Sequence, residues 1–426
     1  LLCLAMVRSE EAYSAVKAHL YEEYGSLFAL DSRAVPDNSA VPHLVVHPIK
    51  GQGWNAVSVI VTVHGPDSEE VGTTGDGGRE KKEYFVKLWS PDSRERPKQL
   101  KEAYTIYQSL SQHLSHGTEG HDVHGGVPMV LLPTLFCSDR GECVTTIHVR
   151  STQEAAQPRD ECSPSFDQYS VCVFQSVSGA MPVSPDQWEG SETEVDIQRG
   201  VARLLRDMRL LCQTCLSDTP VLPYIQQWRQ EMGEIALGLE GIPPGTFSVN
   251  AHRVASSIMH LLETVYGSDS EESYTCKECT YSHRDLSYWN LIWGTPSTES
   301  EIMPDKSDRQ EPSLYLTDFD RLCVAPPELD LVFLSAYTPT TPCDMGSRRL
   351  SVLGDSGLDS TDAPLRPGIY AYRLCCLWRH GEDLLDIYRR MAKGGIESQG
   401  SSSLKEVANE YIVPAIEAVL DTEEVV

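Results

Sequence analysis

Apolar residues recur with two different periods along this chain, and the change from one to the other divides it. Glu10 to Tyr24 carries Tyr13, Val16, Leu20 and Tyr24 on one helical stripe, which predicts an amphipathic helix packed on whatever follows. The next stretches are strand-like. Val41 to Val46 and Val57 to Val63 are β-branched runs, Glu83 to Trp89 alternates, and Val127 to Leu135, Cys143 to His148 and Ser170 to Val177 continue the series. One helix interrupts them, Lys98 to Leu114, with Ala103, Ile106, Tyr107 and Leu110 as its packed side. From Thr193 the period is helical: Val195 to Cys215, Tyr224 to Leu239, His252 to Tyr266, then Ile369 to Met391 and Leu404 to Leu420. Polar, breaker-rich intervals at 67–82, 151–167, 295–312 and 339–366 read as insertions or loops, and there are no internal repeats. The pattern predicts an α+β chain of two lobes: a β-rich lobe with its preceding helix over residues 1–177, and a mainly helical lobe over 178–426.

The polar positions between Tyr281 and Leu331 are the informative ones. His283, Asp285 and Asn290 fall in one short segment that ends in the apolar run Leu291, Ile292, Trp293, and Asp318 and Asp320 follow the apolar Leu314, Tyr315, Leu316. A hydroxyl attacking a γ-phosphate needs a carboxylate to orient it and take its proton, a role suited to Asp285 at the tip of a loop. Asn290 and Asp318 supply hard oxygen atoms of the kind magnesium takes. His-x-Asp-x4-Asn alone is a modest signal; with a strand-borne Asp-Phe-Asp about thirty residues on it becomes a strong one. The competing reading is that these are turn-stabilising residues, since Asp and Asn are common in turns.

Upstream residues extend the set. Gly51 and Gly53 lie in a turn between two strands, where backbone N–H groups can approach phosphates, although an ordinary hairpin turn has the same composition. Lys87 sits amid strand apolars, either snorkelling at an edge or reaching a ligand. Paired with Glu102 of the helix behind, it would hold an ammonium against the α- and β-phosphates of ATP. The strand Ser170 to Val177 stops at Ser178 and Gly179, where a hinge between lobes would lie, and the backbone of Phe174, Gln175 and Ser176 is the candidate for an adenine edge.

Composition narrows the partners. With 426 residues the chain can bury a large core, and 40% hydrophobic content with no apolar run of membrane-spanning length points to a soluble protein. The apolar start, Leu1 to Val7, is too short to support a targeting assignment. A net charge of −27 argues against nucleic acid and anionic membranes as partners; it serves solubility, or a field that draws a cationic substrate. Thirteen cysteines at irregular spacing, an odd count, read as reduced thiols of a cytoplasmic protein. Two Cys-x-x-Cys pairs, Cys212/Cys215 and Cys276/Cys279, raise a zinc site as a side hypothesis, against packed core thiols on a helix for the first pair.

In this order, strand–glycine turn–strand, strand lysine, helix glutamate, hinge, helices, HxDxxxxN and metal-binding Asp, the chain resembles the two-lobed kinase superfamily. Within it, the segment Leu316 to Leu331, with its Asp-Phe-Asp followed by Ala-Pro and an Asp-Leu helix start, is similar to the aminoglycoside phosphotransferase family, most of all its spectinomycin branch. The resemblance implies ATP and Mg²⁺ as cofactors, Asp285 as catalytic base, Asn290 and Asp318 as metal ligands and Lys87 as phosphate anchor. It further implies that His283 holds the loop and that Asp330 braces it. Arg284, where the small-molecule enzymes usually have glycine, raises a protein Ser/Thr kinase as an alternative. Asp318 and Glu328 are only ten positions apart, however, too few for a peptide-binding activation segment, so a small hydroxylated substrate is the expected acceptor. A catalytically silent binding protein of the same fold is the other alternative.

Overall fold

Alternation of side chains along two central strands gives one sheet two different faces, and the fold of the first half follows from that. In the computed structural model, which describes residues 10–28, 43–49, 56–64, 81–90, 96–117, 130–150, 166–182, 192–267, 274–286, 290–296, 313–336, 369–392 and 404–421, strand β3 (Lys81–Trp89) lies between β2 (Ala56–His64) and β7 (Phe166–Gln175). Both pairings are antiparallel, with Lys87 opposite Ser58 on one side and Cys172 on the other. Because the side-chain period is two, Val57, Val59, Val61, Val63, Tyr84, Val86, Leu88, Val171 and Val173 share one buried face. Helix α1 (Glu10–Glu23) and the short α2 (Gly25–Phe28) close that face with Val16, Leu20, Tyr24 and Phe28. Phe85, Lys87, Trp89 and Phe174 belong to the other face. Tyr104 and Tyr107 of α3 (Pro97–Gly117) stack against Trp89 and Phe174 there, with ring centroids 5.6 to 6.2 Å apart.

The sheet runs β1-β2-β3-β7-β5, with β6 also paired to β7, where β1 is His43–Pro48, β5 Leu135–Phe136 and β6 Thr145–Arg150. A second sheet has the order β4-β11-β10-β8, from Val130–Leu131 (β4), Val177–Pro182 (β8), Leu291–Pro296 (β10) and Ser313–Leu316 (β11). Its pairing explains a difference from the expected boundary at 177. By contacts the first compact unit is Leu1–Ser111, Leu131–Met181 and Trp293–Arg321, and the second is Gln112–Val130, Pro182–Ile292 and Leu322–Val426. Strand β11 and β10 from Trp293 onward fall in the first unit, as does most of their sheet partner β8.

The second unit is built from helices α4 (Glu192–Cys215), α5 (Leu222–Glu240), α6 (Ala251–Tyr266), α7 (Leu329–Ala336), α8 (Ile369–Ala392), α9 (Leu404–Val407) and α10 (Val413–Asp421). Local chemistry sets their ends. Proline starts α5, and the Asn250 side chain caps α6 by accepting from the N–H groups of His252 and Arg253. Small residues let α5, α6 and α8 approach: a Cβ on Gly381 would come within 3.1 Å of Leu239 and 3.4 Å of Ile258. A two-stranded ribbon, β9 (Thr280–Ser282) with β12 (Cys323–Ala325), completes the unit. None of the described helices is long and apolar enough to cross a membrane.

Helix α1 is tied to the sheet by a buried polar contact as well as by its apolar stripe. His19 Nε2 lies 2.8 Å from Thr145 Oγ1, and burial pushes the imidazole down from 6.5 to about 4, against the pull of Glu22. His380 in α8 is likewise lowered to about 4 by burial, against Asp383. In both cases the folded state binds its proton less readily than the unfolded chain. The stabilising contribution is therefore complete above about 6.5 and is lost as pH falls toward 4. Thermal melts from pH 7.5 to 4.5 should show the midpoint dropping through this window, and His19→Gln, which keeps a polar partner for Thr145 but does not titrate, should flatten the profile. An unchanged acid slope in that variant would remove His19 as a contributor.

Candidate active site

The first unit concentrates charge at Lys87. Its position on a central strand rules out an edge-snorkelling lysine, and the residue is 8% exposed. The ammonium donates to Asp318 Oδ1 and, at 2.6 Å, to Asp320 Oδ2. Burial works against the charged form, but the two carboxylates outweigh it and hold the Lys87 pKa above its ordinary value. Asp320 is fully engaged: Trp89 Nε1 donates to Oδ2 at 2.7 Å and the Tyr104 hydroxyl to Oδ1 at 2.7 Å. Burial, reinforced by the neighbouring Asp318, pushes the Asp320 carboxyl up to about 7. Asp318 differs. Its side chain is 38% exposed, and its φ of 68° ends the strand and turns the chain.

Two expectations change here. Lys87 does not pair with Glu102. The stripe of α3 that packs inward is Leu100, Ala103, Tyr104, Tyr107 and Leu110, and Glu102, about 200° around the helix from Tyr104, points to solvent with its side chain 63% exposed. Its partner is Lys98, 3.7 Å away on the same helix. The buried carboxylate that holds Lys87 is that of Asp320, in the turn after β11. At the end of β7, Phe174 is a ladder residue whose ring enters the aromatic cluster, and the N–H of Gln175 already donates to Thr134 O at 2.8 Å. Of the three residues expected at an adenine edge, only the buried Ser176 lies outside a ladder, between β7 and β8. Gly51 and Gly53 lie outside the described residues.

The second unit carries the His283–Asn290 loop. Asp330, 1% exposed at the start of α7, accepts from Ser282 Oγ at 2.8 Å, from the N–H of His283 at 2.9 Å and from the N–H of Arg284 at 3.0 Å. Burial raises its pKa, while His283 and these three donors pull it back. The carboxylate thus pins the backbone just before Asp285, and His283, whose N–H is one of the donors, is fully buried. Asn290 Nδ2 donates to the carbonyl of Asp285 at 2.8 Å, closing the loop and fixing which way the amide faces. Arg284 has a φ of 59°, a left-handed conformation where glycine costs least. Its guanidinium lies 3.3 Å from Glu231 Oε2 and 4.9 Å above the Trp378 ring.

Taken separately, each unit carries groups of the kind a magnesium nucleotide would use. Asp318 offers a partly exposed carboxylate oxygen and Asn290 an amide oxygen, both hard ligands, and Lys87 a cation for phosphate oxygens. Asp320 is a poor candidate for the ion, since Lys87, Trp89 and Tyr104 already saturate it. The sulfur sites are different. Cys212 is buried and Cys215 exposed on α4, and among the described residues no group of three or more His, Cys, Asp or Glu is placed to hold a metal. Cys212 is a core thiol. Sequence reasoning missed Trp89 and Tyr104; the period of two from Lys87 and the 100/103/104/107 stripe are the signals that would have found them.

With an antiparallel sheet bearing the lysine strand and the Asp-Phe-Asp turn, and a helical unit bearing the His-x-Asp-x4-Asn loop, the chain is of the α+β class. No protein-family model matches the chain, and no curated protein matches it. Among solved structures, it is similar to spectinomycin phosphotransferase in complex with ADP and spectinomycin, at 13% identity, covering 96% of this chain and 98% of that one with a TM-score of 0.46. A microcompartment-associated aminopropanol kinase is 14% identical over 94% and 98%, with a TM-score of 0.45. The ethanolamine kinase of Plasmodium vivax is 10% identical over 98% of each chain, with a TM-score of 0.43.

Two substitutions separate the roles of neighbouring charges. Asp320→Asn removes a buried counter-charge and is expected to cost on the order of 3 kcal/mol in denaturant unfolding, whereas Glu102→Ala should stay within about 0.5 kcal/mol of wild type. Equal effects would refute the assignment of Asp320 as the lysine's anchor. At Arg284, replacement by Ala and by Gly both remove the contacts to Glu231 and Trp378, so their difference isolates the backbone. The Gly variant should be more stable than the Ala variant by about 1 kcal/mol.

Proposed function

We propose that this protein is an ATP-dependent, magnesium-requiring phosphotransferase that moves the γ-phosphate to a hydroxyl of a small molecule of the aminocyclitol, amino alcohol or sugar type. Lys87 binds phosphate oxygens, and Asp318 and Asn290 hold the ion, which supplies charge neutralisation at the transferring group when bound. Asp285 orients the acceptor hydroxyl and takes its proton, and Asp330, His283 and Asn290 keep Asp285 in place. The nature of the acceptor rests on one observation: the path from Asp318 to helix α7. After Asp318 the chain makes one turn, enters the three-residue strand β12, and passes through a turn closed by Leu329 N–H to Pro326 O at 3.1 Å into α7. That path holds no loop able to lay a peptide across the site, which favours a small acceptor over a protein side chain.

A screen of ATP consumption against aminocyclitols, amino alcohols and sugars tests activity and acceptor class together. With an active acceptor in hand, Asp285→Ala should lower kcat by about 100-fold or more while ATP with Mg²⁺ still raises the melting temperature. Unchanged turnover would remove Asp285 as the base. No metal-dependent thermal shift in the wild-type protein would instead favour a silent protein of the same fold.

A further inference from the structure

Outside the site just described, the loop that leaves the β7 edge after β5 and rejoins it at β6 places two thiols against each other. Ser138, Asp139, Arg140 and Gly141 form a turn closed by the Gly141 N–H to Ser138 O at 2.8 Å, and Gly141 takes a φ of 82° that a side chain would strain. The Ser138 N–H donates to Glu142 O at 2.8 Å. Such a three-residue loop, a turn followed by a left-handed glycine, makes 138 and 142 the closing pair. Cys137 and Cys143 flank that turn. Their sulfur atoms are 3.8 Å apart. Gln108 Nε2 donates to Cys137 Sγ at 2.7 Å, which fixes one partner's rotamer.

We propose that Cys137 and Cys143 form a reversible dithiol–disulfide site, closed by a two-electron oxidant of the hydroperoxide or azo class. From a separation of 3.8 Å, the two sulfur atoms must close to about 2.05 Å, which rotation about the side-chain bonds supplies. In the reaction one thiolate attacks the oxidant to give a sulfur adduct, and the second thiolate displaces the reduced oxidant as the S–S bond forms. Two S–H bonds are lost, and their two electrons and two protons leave on the oxidant. Burial and then the neighbouring Cys137 push the Cys143 thiol up to about 12, so closure is slow near neutral pH and quickens as pH rises. The loop is where helices α1 and α2 are fastened: Asp139 N–H donates to Glu23 O at 2.7 Å, Arg140 pairs with Glu23 at 3.4 Å, and Ser26 N–H donates to Asp139 Oδ2 at 3.2 Å. Closing the dithiol staples the base of that clasp.

The chain provides its own readout. Trypsin cuts after Lys101, Arg140 and Arg150, so Cys137 and Cys143 lie alone in adjacent peptides, 102–140 and 141–150, that separate unless a disulfide joins them. Reduced protein should be treated with diamide under native conditions, blocked with iodoacetamide and digested. The expected result is the linked peptide pair, formed before other cysteine pairs, faster at pH 9 than at pH 7 and released by dithiothreitol. Cys137→Ser should abolish the linked pair and leave Cys143 alkylated. If both peptides are recovered alkylated while other cysteines pair, or if Cys137 and Cys143 each link only elsewhere, the proposal fails.

Discussion

Lys87 puts an ammonium on the inner face of a central strand, where water cannot solvate it, and such a charge is tolerated only if counter-charge is delivered to the same place. Asp318 and Asp320 deliver it from the link after β11. Asp320, itself buried, must in turn be satisfied, and it takes donors from Trp89 and Tyr104. Trp89 is available because it stands two residues beyond Lys87 and so shares its face. Tyr104 is available because α3 is phased to present it. Strand register, helix phase and the course of a distant link are thus all specified by one buried charge. The aromatic rings around it, Trp89, Tyr104, Tyr107, Phe174 and Phe319, keep the surroundings apolar and make any unpaired charge there costly.

The second unit repeats the logic with the signs exchanged. Asp330 is a buried carboxylate, and what satisfies it is the backbone of the loop that carries Asp285. Two successive N–H groups converge on one carboxylate when the chain turns sharply, and the left-handed conformation of Arg284 is that turn. A non-glycine residue there costs about 1 kcal/mol. The partly buried ion pair with Glu231 and the stacking on Trp378 are of a size to offset it. Arg284 is accordingly a residue that shapes the loop from behind, with its charge already matched.

Those arrangements were unequally legible in the sequence. Runs with a clear period, the strands at 57–63 and 83–89 and the long helices, were readable because burial enforces periodicity. The pairing of Lys87 was not, because a lysine reports only that it needs a partner. Glu102 was expected from its place on the following helix, yet the same helix's apolar stripe turns that position outward. The fate of Phe174 and Gln175 likewise depended on a neighbour, the two-residue strand β5, too short to leave a pattern of its own. The boundary between units moved for a similar reason, since β11 and β10 from Trp293 onward fall with most of their sheet partner β8. Local chemistry is written in the local sequence, while partner choice across a hundred or more residues is written only in the packing.

The link from Asp318 to α7 is held along its length. Asp318 and Asp320 bind Lys87, Phe319 stacks on Tyr107 with centroids 4.9 Å apart, Leu322 is buried, β12 is paired to β9, and Asp330 holds the loop backbone. A segment that switches between order and disorder needs the opposite, a stretch whose contacts are few enough to be lost together and regained on a signal. Releasing this one would strand the buried Lys87 ammonium without its counter-charges, a penalty of several kcal/mol and a large share of the stability of a typical domain. The region is therefore built for permanence.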